Sequence, residues 1–136
     1  MRLDVRFLRL AVVAGATLVV PLAGCGLNWE LDYQRGLAKA ADARRRAVVQ
    51  FYQAVSRDCR AMDLEVFSND DVRKLLGRFV PIRLDPVLSR QLAEQWEVQN
   101  VPTFVVLRPD GSVAGKHDGR MDAKAFCVFL INHMYN

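Results

Sequence analysis

Cysteine is scarce in this chain: 136 residues contain three, Cys25, Cys59 and Cys127. They are too far apart to form a disulfide framework or to present paired sulfurs at zinc-ligand spacing. Histidine is scarcer still, with His117 and His133 as the whole complement. Neither has ligand spacing, so a metal site, or a nucleophile pair of Cys59 with His117, would require a coincidence of folding that the pattern does not announce. No metal and no cofactor is expected. A glycine-rich phosphate loop is also missing, and Asp110-Gly111 reads as a hairpin turn. The longest apolar run, residues 10–24, falls short of the roughly 20 residues that a bilayer-crossing helix needs. The formal charge is only +4, which gives no ground for nucleic-acid binding.

What remains is a chain that is 25% charged and 51% hydrophobic, the composition of one folded domain rather than of a disordered segment. Its first residues, "MRLDVRFLR", are basic, and "LAVVAGATLVVPLAG" follows without charge. A basic start, a short apolar run and a close in small residues make a signal peptide over residues 1–24. The closing Leu22-Ala23-Gly24-Cys25 resembles the lipobox of bacterial lipoproteins. That resemblance implies that Cys25 is the lipidated mature N-terminus; an ordinary signal peptide that happens to contain a cysteine is the other reading. Acyl chains on Cys25 would hold the protein to a lipid bilayer more firmly than one myristoyl chain, with residues 25–28 as a short tether and residues 29–136 as the domain. Gly26 rather than aspartate follows the cysteine, which leaves outer-membrane sorting open. The expected location is the cell envelope: lipid-anchored and exported, on the periplasmic face of the inner or outer membrane or at the cell surface. Loss of Arg2, Arg6, Arg9 and Asp4 with the signal takes the formal +4 to +2. The run Arg44-Arg45-Arg46 is then the one basic cluster. It reads as cations at the end of a helix, favoured by the helix dipole, or else as a membrane- or partner-binding patch.

Periodicity places a helix over residues 29–43, with Leu31, Leu37, Ala38 and Ala41 near one face. A buried strand follows at "AVVQFY", residues 47–52. Helix resumes after residues 56–59, breaks near Ser68 and ends at Gly77, with Ser68 and Asp71 resembling a capping box. "FVPIRLD", residues 79–85, is a second strand, and Pro81 assigns it to an edge or to strand-start positions. A short helix at 88–96, strands at 103–107 and 112–116 around the turn "RPDG", and a helix at 122–134 complete the chain. This order predicts an α/β domain with a four-stranded mixed sheet flanked by helices, plus an extra N-terminal helix.

That element order, together with "VVQFYQAVSRDCRAM" and "WEVQNVPTFVVLRPDG", resembles the thioredoxin superfamily over residues 29–134. It looks most like exported thioredoxin-like domains that open on "W…Y…GLAKA" and continue past the active site with "MDLEVFSNDDV". The resemblance implies a thioredoxin-like fold and a cis-proline at Val101-Pro102-Thr103, where substrate polypeptide pairs as an added strand. A trans proline in a loop is the plainer alternative.

At the active site the sequence departs from the family. Members that exchange disulfides carry Cys-x-x-Cys at the positions of residues 56–59, with the first sulfur as nucleophile at a helix N-terminus. Here that position is Ser56, whose hydroxyl cannot attack a disulfide, while serine remains a favoured N-cap whose oxygen accepts the amide of Asp58 or Cys59. Gln50 falls at the family's buried acid, Val55 at an aromatic position and Asp58 at a common proline. Asp58 would raise the Cys59 pKa, and Arg57 and Arg60 would lower it. Cys59 falls at the shielded resolving cysteine: a buried inert thiol, a slow monothiol, or one half of a disulfide with Cys127 or a partner. Cys127 reads as a small core residue. The expectation is a monomeric, membrane-anchored module, redox-impaired, that binds a protein or peptide partner of the envelope. The alternative is a thiol-disulfide oxidoreductase working through Cys59 alone.

Overall fold

The computed structural model describes residues 27–135, so the expected signal segment and the lipidated Cys25 lie outside the described residues. Five α-helices, α1 (Tyr33–Asp42), α2 (Arg57–Ala61), α3 (Asp70–Leu76), α4 (Arg90–Gln95) and α5 (Ala123–Asn132), surround four strands, β1 (Ala47–Phe51), β2 (Val80–Leu84), β3 (Thr103–Leu107) and β4 (Val113–Asp118). The sheet order is β2-β1-β3-β4, with β1 parallel to β2 and antiparallel to β3, and β4 antiparallel to β3. This is the mixed α/β sheet that the sequence pattern predicts, with its extra N-terminal helix.

β1 and β3 are buried along their whole length, because helices cover both sheet faces and strand side chains alternate between them. Val48, Phe104 and Val106 join Met62, Phe67, Phe126 and Leu130 in one core. Ala47, Val49, Phe51, Val105 and Leu107 join Ala40, Ile82 and Leu84 in the other. Both cores are assembled within residues 27–135, and Leu27 already packs against the first.

The first helix begins later than its periodicity predicts, because Glu30 is drawn into the sheet. Its backbone bonds Pro81 O and Arg83 N, each at 2.8 Å, and Asp32 caps α1 by accepting the Arg35 amide at 2.7 Å. Pro81 therefore does lie on an edge strand, one that residues 29–31 cover. The buried face of α1 also differs in part from the expected one: Leu37 packs against the second core as expected, but Leu31, Ala38 and Ala41 are exposed, and Gly36 and Ala40 face inward. Close helix–strand approach sets this face, since a Cβ on Gly36 would stand 2.4 Å from Ile82 Cδ1.

The Glu30 carboxylate is 9% exposed and meets Lys39 Nζ at 2.6 Å and Arg35 Nε at 2.8 Å. Hydrogen bonds from Lys39 and then Arg35 hold its pKa at about 2, down from 4.5. A depressed carboxylate pKa adds stability above the unfolded value and loses it as pH falls to the folded one. Tm is expected to drop as pH falls from 4.5 to about 2, and Glu30→Gln to flatten that part of a calorimetric pH series. An unchanged slope would remove Glu30 from the acid response.

The break in the second helical stretch falls near Ser68 as expected, but its cap is different. A π-helical turn, Met62–Val66, closes with Phe67 N on Met62 O. It leaves the Ser68 hydroxyl donating back to Leu64 O at 2.7 Å. Asn69 caps α3 instead, accepting from Asp71 N and Val72 N. The arginine run differs as well. Arg44, at φ 51, ends α1 in a Schellman turn in which Arg45 N reaches Ala40 O. The Arg45 side chain binds the carbonyls of Gly77, Arg78 and Phe79, so it serves the end of α3 rather than that of its own helix.

Candidate functional site

β1 delivers the chain through a short turn to α2, and Ser56 stands at the junction as N-cap, with φ −71 and ψ 124. Its Oγ accepts the Cys59 amide at 3.2 Å, one of the two partners expected for it, and donates across to Val101 O at 3.5 Å. The Val101–Pro102 peptide is cis. Residues brought from opposite halves of the sequence thus face each other: Ser56, the expected position of a missing nucleophile, on one side and the cis-proline loop on the other.

Cys59 is wholly buried under this cap. Cys59 and Cys127 are both free thiols, so the expected option of a disulfide between them is not realised. Cys127 packs half-buried against the first core, and burial, with Asp71 adding, pushes its pKa up. Val55, immediately before the cap, is 84% exposed, and Val101 is half-buried and outside both strand ladders. Thr103 contributes differently from the expected surface residue. Its side chain is buried, with Oγ1 at 2.7 Å from Asn100 O and 3.1 Å from Asp118 Oδ1, and its backbone already pairs with Phe51 and Asp118. Position 103 belongs to the sheet interior because β3 has neighbours on both sides, so the accessible part of the loop is Val101.

Gln50, the residue expected at a buried-acid position, points to the same side of the sheet as Val48 and has no exposure. Its Oε1 accepts Arg83 Nε at 2.9 Å, and its Nε2 is buried with no hydrogen-bond partner among the described residues. Arg83 is the residue that sequence reasoning missed. Its guanidinium is bonded to Asp63 Oδ1 at 2.6 Å and lies 4.4 Å from the Trp29 ring centroid and 4.2 Å from that of Tyr52. An arginine at an alternate position of a partly buried strand was the available signal, since a cation there needs partners. Burial, with the charge of Asp63 adding, pushes the Tyr52 phenol up. The two histidines lie elsewhere: His117 and His133 pack against Phe129, with ring centroids 5.9 and 4.7 Å away. Among the described residues, no group of three or more His, Cys, Asp or Glu side chains could hold a metal ion.

A cysteine at a helix start, a facing cis-proline and a β2-β1-β3-β4 sheet agree with one domain family, and residues 33–132 match it: the thioredoxin-like domain. The chain belongs to this family. The thioredoxin-like domain is similar to a thioredoxin from Thermus thermophilus, at 28% identity and TM-score 0.71 over 79% of this chain and 86% of that one. It also superposes on the DsbD C-terminal domain of Neisseria meningitidis, at 19% identity and TM-score 0.63 over 78% of this chain and 99% of that one. A disulphide isomerase from Xylella fastidiosa gives 21% identity and TM-score 0.63 over 79% and 98%. At these last two identities the likeness is one of fold. No curated protein matches the chain.

Proposed function

We propose that this thioredoxin-like domain is a lipid-anchored envelope protein that binds extended polypeptide at the cis-proline loop without turning over disulfides. The observation that carries the reading is the oxygen of Ser56 at the cap facing Val101 O, with the one nearby sulfur, Cys59, fully buried beneath it. Disulfide exchange begins with an accessible thiolate. Here the cap position holds a half-buried hydroxyl and the sulfur is shielded. Polypeptide binding needs only a backbone edge and apolar contacts; Val101 supplies the edge and Val55 an exposed apolar side chain beside it. Anchoring rests on the lipobox-like Leu22-Ala23-Gly24-Cys25.

The deciding experiment is an NMR titration of the domain with an unfolded polypeptide free of cysteine. Shifts confined to residues 53–56 and 100–102, kept in Cys59→Ala and lost in Val101→Glu, are expected. Binding that demands a cysteine in the polypeptide and disappears in Cys59→Ala would overturn the reading in favour of monothiol chemistry. Anchoring is checked separately, since Cys25→Ser should abolish metabolic lipid labelling, and persistent labelling would refute it.

A further inference from the structure

The sheet topology gathers arginines that are scattered in sequence. β1 begins at Ala47, directly after Arg44, Arg45 and Arg46. β2 runs parallel to it, and Val80 N bonds Arg46 O at 2.9 Å, which places Arg78 at the same end. β3 runs the other way, with Leu107 opposite Ala47, so Arg108 arrives there too. The result is a shallow basic pole, a cavity of about 340 Å³ lined by Arg44, Arg45, Arg46 and Arg78 with Pro109 and Met134. Arg44 and Arg78 are exposed.

The cations are crowded: partial burial and then the charge of Arg108 lower the pKa of Arg46. Three acids lie nearby. Glu30 and Asp42 share a neighbouring cavity with Arg45, Glu30 being already paired with Lys39 and Arg35, and Asp110 accepts the Ser112 amide and hydroxyl. With Glu30 neutralised by its own two cations, five arginines against the carboxylates of Asp42 and Asp110 leave a clear excess of positive charge on a chain whose mature formal charge is small.

Asn28, among the first described residues, lies at this same end. Glu30 pairs parallel to β2 opposite Ile82, so the preceding residues point back along β2 toward its start, and Asn28 lines a cavity with Arg45, Phe79 and Val80. Three Cα steps of 3.8 Å separate Cys25 from Asn28, a reach of about 11 Å at most. That is comparable with the Debye length of about 8 Å at physiological ionic strength. A lipid on Cys25 would therefore hold the arginines where the field of anionic headgroups is still felt.

We infer that this arginine pole is a docking surface for anionic phospholipid headgroups, which seats the domain with its Ser56–Pro102 end facing away from the membrane. The inference rests on the lipid anchoring proposed above. β1 carries the chain from the pole toward Ser56 over roughly 16 Å at about 3.3 Å per residue. The two ends of the sheet therefore have separate duties: one lies on the bilayer and the other meets polypeptide.

The test is vesicle co-sedimentation of residues 27–136, which contain both cores and lack Cys25, so the pole is read without the lipid. Partition onto vesicles of phosphatidylcholine with about one-third phosphatidylglycerol is expected to exceed that onto phosphatidylcholine alone by about tenfold or more at low salt, and to fall at high salt. The double variant Arg44→Glu, Arg78→Glu should remove the difference. Arg57→Glu with Arg60→Glu, at the opposite end, should leave it nearly intact. Equal partition onto both vesicles, or equal loss in both double variants, would overturn the pole. Binding to soluble polyglutamate with no binding to anionic vesicles would overturn it in favour of an acidic protein partner. Failure of the anchoring reading shows separately, as lipid labelling that survives Cys25→Ser in the full chain.

Discussion

Ser56→Cys is expected to create protein-disulfide reductase turnover, about a hundredfold or more above the native chain when driven by a small dithiol. The new sulfur would occupy the α2 cap, where Ser56 Oγ now accepts the Cys59 amide at 3.2 Å. That amide and the helix dipole stabilise an anion there, which lowers a thiol pKa from its unperturbed ~8.5. The thiolate attacks a substrate disulfide and forms a mixed disulfide, expelling one substrate thiolate. Cys59 then attacks the new sulfur and releases the second, leaving an internal disulfide for the dithiol to reduce. If Gln50 stands where the resemblance implies a buried acid, Cys59 has no carboxylate there to take its proton, and the second step is expected to limit the rate. Gln50→Asp added to Ser56→Cys should raise turnover further. If Ser56→Cys neither turns over nor forms an internal disulfide with Cys59, the cap is not the degenerate nucleophile position argued here.

The largest stability effect is expected at Arg83. Its side chain is 17% exposed and that of its partner Asp63 33%, and it also satisfies Gln50 Oε1 between two aromatic faces. Arg83→Met keeps the packed length but strips the charge. It leaves Asp63 without its counter-ion and Gln50 with neither end of its amide bonded. Removing one partner of a fully buried pair costs about 3 kcal/mol or more; with Asp63 a third exposed, the loss here is expected to be about 2 kcal/mol, still a large fraction of the stability of a domain this size. Urea denaturation at neutral pH measures it. Asp63→Asn is expected to cost less, since that carboxylate reaches solvent and an amide can still accept from Arg83. Equal and small losses in both would mean that the aromatic sandwich, not the pair, holds Arg83.

The elements that read correctly in sequence share a cause. The runs at 47–51 and 103–107 are apolar because their strands are covered on both faces, and the turn around Gly111, at φ 86, is a local choice that a few residues make for themselves. The misread features depend on distant partners. α1 buries Gly36 rather than Ala38 because Ile82, 46 residues on, comes within van der Waals reach. Asn69 displaces Ser68 as a cap because the preceding π-turn shifts the helix start. Arg45 leaves its own helix for the end of α3 because the parallel β1–β2 pairing brings those carbonyls beside it.

The candidate site divides in the same way. By itself the sequence determined the family's fold, a serine at 56, a cysteine at 59 and the proline at 102, since residue type and spacing carry these chemical facts. Tertiary structure decided that Ser56 faces Val101, that Thr103 is turned inward, that Gln50 and Asp63 share Arg83, and that arginines from three strand ends meet at one pole. Each of these joins residues tens of positions apart. Their proximity follows from sheet register and helix packing, which no local pattern encodes.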